Sequence, residues 1–484
     1  MSQSTNASFV HPFRTPKNCY LYDVNTNSVV QVSDSVYAHF TQKAGLSAHD
    51  DDIISKLKAD GYLKPNPIER IDHPQIPLLS YILSTKVQGI TLQITQQCNL
   101  RCKYCIYSGG YESRGHSSKS MDLKTAKKGI DFVIECSSGM DEITIGFYGG
   151  EPLLQFDLMK KCVEYAVVQA EGKMLALSVT TNGTLFTDEI LDFLDKYHFS
   201  VSLSLDGPRE IQDANRVFAR NGKGTFDTIM TNLRHIREAY PSVFSRIIIS
   251  SVADPSLDVF ASIEFFRTCD ELEGVTVQSS NISGEYRKDK VSVPEKFLID
   301  EERDMFLLLM SKLKRIPEDR ISKMSEDKFG SLYMTMYEAR PDVTNLAPVM
   351  HPPGQCIPGT RKLFMTVDGS FYPCEKVSET SPYTRIGHVD TGYDLDAVKR
   401  ILNLGALTPD ECKNCWSILM CSICVVSVDD PQTGLSRRKK LALCPGIRRS
   451  NELMLKNFCT LKERGFSFSG LEKSFLLIGR QVLV

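Results

Sequence analysis

The chain has 484 residues, more than one ordinary domain holds, and 42% of them are hydrophobic, enough for a large buried core. Its 57 Lys and Arg nearly balance 59 Asp and Glu, so no long-range field marks a nucleic-acid or membrane-surface binder. No apolar run reaches the roughly 18 residues of a membrane span, and the opening MSQSTNASFVHPF lacks a signal-peptide pattern, so no membrane association and a cytoplasmic location are expected.

In chain order, residues 1–75 read as a small separate unit. Strand-like runs at 19–23 and 28–32 join at a turn-prone Asn25-Thr-Asn27, helices follow at 35–43 and 51–60, and the polar, proline-bearing stretch 64–77 reads as a linker. From 88 to 285 apolar strand-like runs (90–95, 143–148, 175–181, 201–205, 247–252, 275–279) alternate with amphipathic stretches such as 123–135, 156–170 and 226–238. Strand-then-helix repetition predicts right-handed crossovers and a parallel sheet, and six units are too few for a closed eight-stranded barrel. An α/β fold built on a partial, open (β/α)6 barrel is therefore expected. Residues 286–349 read as a helical connecting region, 350–450 as a cysteine-rich domain and 451–484 as a C-terminal tail.

Fifteen cysteines in a reducing compartment point to metal or catalytic roles rather than disulfides. Five (Cys19, Cys136, Cys162, Cys269, Cys459) are scattered and read as buried thiols. The first group, Ile94-Thr-Gln-Gln-Cys98-Asn-Leu-Arg-Cys102-Lys-Tyr-Cys105, gives C-x3-C-x2-C directly after the first barrel strand. Three close thiolates can hold three irons of a cubane and leave the fourth without a protein ligand; a zinc site or loop thiols are the alternatives. Further motifs follow successive strands: Tyr148-Gly149-Gly150-Glu151-Pro152, Thr181-Asn182-Gly183 and Ser204-Leu-Asp206-Gly207-Pro208. Each alone is an ordinary turn, but barrel-type folds place active sites at strand C-termini, where all of these fall.

The C-x3-C-x2-C spacing with an aromatic before its last cysteine resembles the radical S-adenosylmethionine (SAM) superfamily. The resemblance implies a [4Fe–4S] cluster on Cys98, Cys102 and Cys105 whose open iron is chelated by SAM. It places Tyr104 beside the SAM site and Gly149, Gly150 and Glu151 at the SAM amino group. Asn182 would face the ribose, Ser204 the SAM carboxylate or ribose, Asp206 would orient its loop, and Arg216 would pair with the SAM carboxylate, a role Arg220 could also fill.

Downstream, Cys356 is followed after twelve residues by Gly369 and after four more by Cys374; then come Cys412-x2-Cys415-x5-Cys421-x2-Cys424 and, after nineteen, Cys444. This resembles the SPASM auxiliary-cluster domain of peptide-modifying radical SAM enzymes, with two residues rather than the usual three between Cys421 and Cys424. The family's crossing pattern implies that Cys412, Cys415, Cys421 and Cys444 close one cluster. Cys356, Cys374 and Cys424 would hold a second with one iron open, and Cys459 is a conceivable eighth ligand. A zinc-ribbon-like fold is the alternative. Residues 1–75 resemble the small winged-helix-like leader-peptide recognition element of ribosomal peptide maturases, which adds a peptide to a sheet edge; a structural cap is the alternative. The whole chain thus resembles the maturases that install thioether crosslinks (the ranthipeptide and sactipeptide type). That implies three [4Fe–4S] clusters, SAM, a leader-bearing precursor peptide and a reductant such as flavodoxin or ferredoxin. An anaerobic sulfatase maturase forming formylglycine, a carbon–carbon crosslinking or decarboxylating peptide maturase, and a non-catalytic iron–sulfur protein are the rivals. No general base stands out.

Overall fold

The computed structural model describes residues 7–42, 44–170, 172–333 and 345–468, so residues 334–344 of the expected connecting region and 469–484 of the expected tail lie outside it. The chain opens with a three-stranded antiparallel sheet, β1 (Val10–Arg14), β2 (Cys19–Asp23) and β3 (Ser28–Val32), followed by helices Asp34–Gln42 and Ala48–Ala59. Sequence reading finds β2 and β3 but not β1. Pro12 argues against a central strand, and β1 indeed lies at an edge, paired only with β2, where a proline is tolerated. The β2–β3 turn closes through Asn27 at φ 51°, while the Asp23 carboxylate accepts the Thr26 and Leu63 N–H groups.

The expected linker is not free: β4 (Arg70–Ile71) within it pairs with a strand near residue 350. The barrel strands follow: β5 (Gly89–Thr95), a short β6 (Leu100–Cys102), β7 (Glu142–Gly149), β8 (Met174–Thr181) and β9 (Ser200–Ser204). Next come the short β10 (Arg216–Phe218), β11 (Ile247–Ala253) and β12 (Thr276–Asn281). The cysteine-rich part contributes β13 (Val349–Met350), β14 (Leu363–Met365), β15 (Ser370–Tyr372), β16 (Gly387–His388) and β17 (Gly392–Tyr393). One ten-stranded sheet runs β12-β11-β9-β8-β7-β5-β14-β15-β16-β17, so the six parallel strands stand in the expected sequential order in an open sheet. Beyond β5, however, β14 adds a seventh parallel strand and carries the sheet on into the cysteine-rich region.

Parallel strands covered on both faces are usually apolar throughout. Here they alternate. Leu177, Val179, Val201, Leu203, Ile247 and Ile249 are buried in the main core against the flanking helices, whereas Ser178, Thr180, Ser202, Ser204 and Ser250 on the opposite face are only half-buried. With a side-chain period of two, this sets one face on the core and leaves the other as a hydroxyl-lined interior. Side-chain caps start the packed helices: Asp122 accepts the Thr125 N–H and Thr187 the Ile190 N–H.

Two expected boundaries do not hold. A single helix, Arg437–Glu463, runs through the border drawn at 450/451, carrying Cys444 near its start and Cys459 in a buried stretch near its end. Nor is the N-terminal unit separate. Phe13, Tyr20 and Tyr22 share a core with Cys412, Ile418, Leu455 and Phe458. His11 stacks on Trp416, ring centroids 3.7 Å apart, and Glu463 accepts hydrogen bonds from Thr15, Asn18 and Tyr20. Of the five scattered cysteines, Cys19, Cys162 and Cys459 are buried as expected, while Cys136 and Cys269 are only half-buried. No helix of the described residues is long and apolar enough to cross a membrane.

Because Phe13 is 2% exposed in the shared core, Phe13→Ala should cost about 3–5 kcal/mol. Limited proteolysis should then release the N-terminal sheet before the barrel unfolds; an unchanged digestion pattern would contradict the shared core.

Candidate functional site

The loop carrying the first cysteine group is held by backbone contacts at the end of β7. The Gly150 N–H donates to Thr95 O and the Glu151 N–H to Gln97 O, both at 2.8 Å. A Cβ on Gly149, at φ 141°, would stand 2.0 Å from Thr95 O, and one on Gly150 would stand 1.9 Å from Gln97 O. The cysteine loop itself thus requires glycine at both positions. Glu151 is likewise fully buried. Its carboxylate accepts the Thr181 hydroxyl (2.8 Å) and the Asn182 (2.7 Å) and Leu153 (3.1 Å) N–H groups, so it ties β7 to the end of β8. Burial pushes its carboxyl up to about 7 against the pull of those three bonds.

Asn182 points back at the cysteine loop: its Nδ2 donates to Asn99 Oδ1 at 2.8 Å and approaches Cys98 Sγ at 3.8 Å. β6, which ends at Cys102, pairs with β10, which begins at Arg216. Arg216 forks onto Asp206 (Nε–Oδ2 2.9 Å, Nη2–Oδ1 3.1 Å), its guanidinium carbon 5.2 Å from the Tyr104 ring centroid, and the Tyr104 hydroxyl donates to the same carboxylate. Arg216 is thus paired with Asp206, beside Tyr104 and Cys102. Arg220 is exposed beside Phe218 and does not share the site. Ser204 closes β9 on the hydroxyl-lined face, half-buried.

Cys98, Cys102 and Cys105 are half-buried and within electrostatic reach of one another. Burial drives their thiols upward, Cys98 to about 12 and Cys102 to about 11. They are protonated at neutral pH until a metal displaces the protons. Among the described residues no three His, Cys, Asp or Glu side chains converge as a single-ion site. Three thiols on one short loop are the donor set that three irons of a cubane would take.

The seven C-terminal cysteines fall into two sets. Cys356, Cys374 and Cys424 lie within electrostatic reach of one another, and Cys415, Cys421 and Cys444 each lie within reach of Cys412. A buried network that sequence reading missed joins the first group to the first of these sets. Arg114, nine residues after Cys105, places Nε 3.0 Å from Glu379 and donates Nη2 to the Val377 and Glu375 carbonyls, just past Cys374. Gln93, in the middle of β5, donates to Glu379 (2.6 Å) and to the Tyr107 hydroxyl (2.7 Å). A glutamine inside an apolar strand is the one signal that pointed there.

Residues 92–251 match the model of the Radical SAM superfamily. The radical SAM cyclopropyl synthase TigE of Paramaledivibacter caminithermalis is 25% identical over 40% of this chain and 44% of its own length. The serine-type anaerobic sulfatase-maturating enzyme of Bacteroides thetaiotaomicron is 32% identical over 29% of this chain and 34% of its own. An uncharacterized protein of Methanocaldococcus jannaschii is 34% identical over 30% and 46%. The chain thus spans less than half the length of these curated relatives. Among solved structures, native anSMEcpe with bound AdoMet superposes at a TM-score of 0.59, with 21% identity, over 78% of this chain and 98% of that one, a likeness of fold.

The raised Glu151 carboxyl sets a pH dependence. A buried acid whose pKa rises from 4.5 to about 7 stabilises the fold fully below 4.5, and that contribution is lost as pH climbs through 7. At about 1.36 kcal/mol per unit, the loss is up to about 3 kcal/mol. Denaturant melts from pH 5 to 8 should show wild type losing stability relative to Glu151→Gln; parallel curves would contradict the assignment.

Proposed function

We propose that this chain, whose residues 92–251 are a radical SAM domain, is a peptide maturase that joins a cysteine sulfur to carbon in a ribosomally made precursor peptide. The family implies SAM and a [4Fe–4S] cluster, which Cys98, Cys102 and Cys105 would hold. The sorting of seven further cysteines into a set of four and a set of three is the observation that carries the reading beyond the family.

When bound, SAM and its cluster supply a radical that removes a hydrogen atom from a substrate carbon. The protein's own part is placement. Glu151 and the two glycines fix the cysteine loop on the strand ends, and Asn182 holds the approach to Cys98. Tyr104, Asp206 and Arg216 form one buried brace beneath Cys102, leaving Ser204 and the half-buried hydroxyls of the sheet to face SAM. Cys412, Cys415, Cys421 and Cys444 would fill one auxiliary cluster. Cys356, Cys374 and Cys424 would hold another whose remaining iron can ligate a substrate thiolate and lower its pKa. The open edge of β3 supports leader binding by strand addition, because β3 pairs with β2 on one side only. A reductant such as flavodoxin or ferredoxin would deliver the electron for SAM cleavage.

The sulfatase-maturating relatives and the anSMEcpe fold favour a second reading, oxidation of a single Cys or Ser to formylglycine. Mass spectrometry separates the two. With a cysteine-rich leader-bearing peptide, the thioether reading predicts loss of two hydrogen atoms per link and a blocked thiol. Cys356→Ala/Cys374→Ala/Cys424→Ala should abolish the link while SAM cleavage persists. An aldehyde trapped by a hydrazide, with no blocked thiol, would select the formylglycine reading instead.

A further inference from the structure

Lys440 sits one helical turn before Cys444 on the Arg437–Glu463 helix and is 2% exposed. Its ammonium donates to Leu404 O at 2.7 Å and to Cys412 Sγ at 3.4 Å. Among the described residues no carboxylate lies within ion-pair distance of it. A buried ammonium without a counter-charge is among the costliest groups a fold can hold, so its anion must come from the acceptors actually beside it. One of those is a backbone carbonyl and the other is a cysteine sulfur. Lys440 also lies within electrostatic reach of Cys421 and Cys444.

Arg448 stands four residues beyond Cys444, and residues four apart share a helix face, so Lys440, Cys444 and Arg448 form one stripe. Arg448 is within electrostatic reach of Cys415 and Cys444. Beside the three-cysteine set, Arg361 and Lys362 lie within electrostatic reach of Cys356, but both are exposed, and Lys362 is paired with the Glu375 carboxylate at 3.3 Å.

We propose that Lys440 is a built-in counter-cation that raises the reduction potential of the centre held by Cys412, Cys415, Cys421 and Cys444; this rests on reading that site as an auxiliary iron–sulfur cluster. Cluster potentials follow net charge and hydrogen bonds to sulfur, and an added electron is stabilised by a cation that water does not screen. Bonding a substrate carbon radical to a thiolate forms the C–S bond and releases one electron. The four-cysteine centre is the favourable place for that electron, and Lys440 is a positioning residue for it rather than a substrate contact.

The test is an equilibrium redox titration of the reconstituted full chain, followed by electron paramagnetic resonance, in wild type, Lys440→Met and Lys440→Arg. At a fixed potential, Lys440→Met should lower the reduced-to-oxidised ratio of one centre about tenfold, which is about 59 mV for one electron. Lys440→Arg should stay near wild type, and SAM cleavage without peptide should be unchanged in both. If Lys440→Met loses that centre's iron while Lys440→Arg keeps it, the counter-charge role is again supported. An unchanged potential in a fully loaded Lys440→Met, or equal iron loss in both variants, would overturn it. Wild-type protein with only about four irons would instead remove the auxiliary centre itself, a failure seen before any variant is compared.

Discussion

Gly149 and Gly150 press against the backbone of Thr95 and Gln97 so closely that no side chain fits between them, and the cysteine loop takes its position from that contact. The approach is possible only because β5 and β7 are parallel neighbours that end together, with the register shift at Gln93/Thr95 turning the chain towards Cys98. Glu151 then joins the end of β8 through the Thr181 hydroxyl and the Asn182 N–H, so three strand ends are tied to one another. A site built this way tolerates little movement of its three sulfurs. Its polar surroundings are packed into structure before any ligand arrives.

The same economy extends to the C-terminal half. β14 joins the barrel sheet beside β5, and Arg114 anchors the loop beyond Cys105 to carbonyls just past Cys374. The first cysteine group and the three-cysteine set are therefore fixed relative to each other by a continuous sheet and a buried ion pair rather than by a flexible tether. The four-cysteine set lies against the N-terminal sheet: Trp416, adjacent to Cys415, stacks on His11 of β1, and Cys412 shares a core with Phe13 and Tyr20. Whatever binds the open edge of β3 thus binds a sheet whose other elements touch the residues around those sulfurs.

The parallel strands and their order were legible from apolar runs of about five to seven residues alternating with amphipathic ones, because both periods are set by local burial. The cysteine groups were legible as spacing, and the family resemblance, not the spacing, implied that Cys421 and Cys424 go to different sets; in the fold Cys421 lies near Cys412 and Cys415, and Cys424 near Cys356. Glu151 and Arg216 were legible only as charged residues at strand ends; the burial of Glu151 and the Asp206 partner of Arg216 show the packing they also provide. β1 was hidden by Pro12, and the continuity of the last helix by Pro445 and Gly446 near its middle, two residues that ordinarily argue for a break. Arg114, Glu379 and Lys440 carry no motif at all; their meaning lies in distances between residues far apart in sequence.

Anaerobic iron and sulfide analysis of the reconstituted chain, with a dithionite-driven SAM-cleavage assay on the same sample, tests the central claim most directly. About twelve irons per chain together with 5′-deoxyadenosine is the predicted result, matching one cluster on Cys98, Cys102 and Cys105 and two on the C-terminal sets. About four irons with the same product would contradict the auxiliary sites, and the absence of 5′-deoxyadenosine from a fully loaded chain would contradict the account at its root.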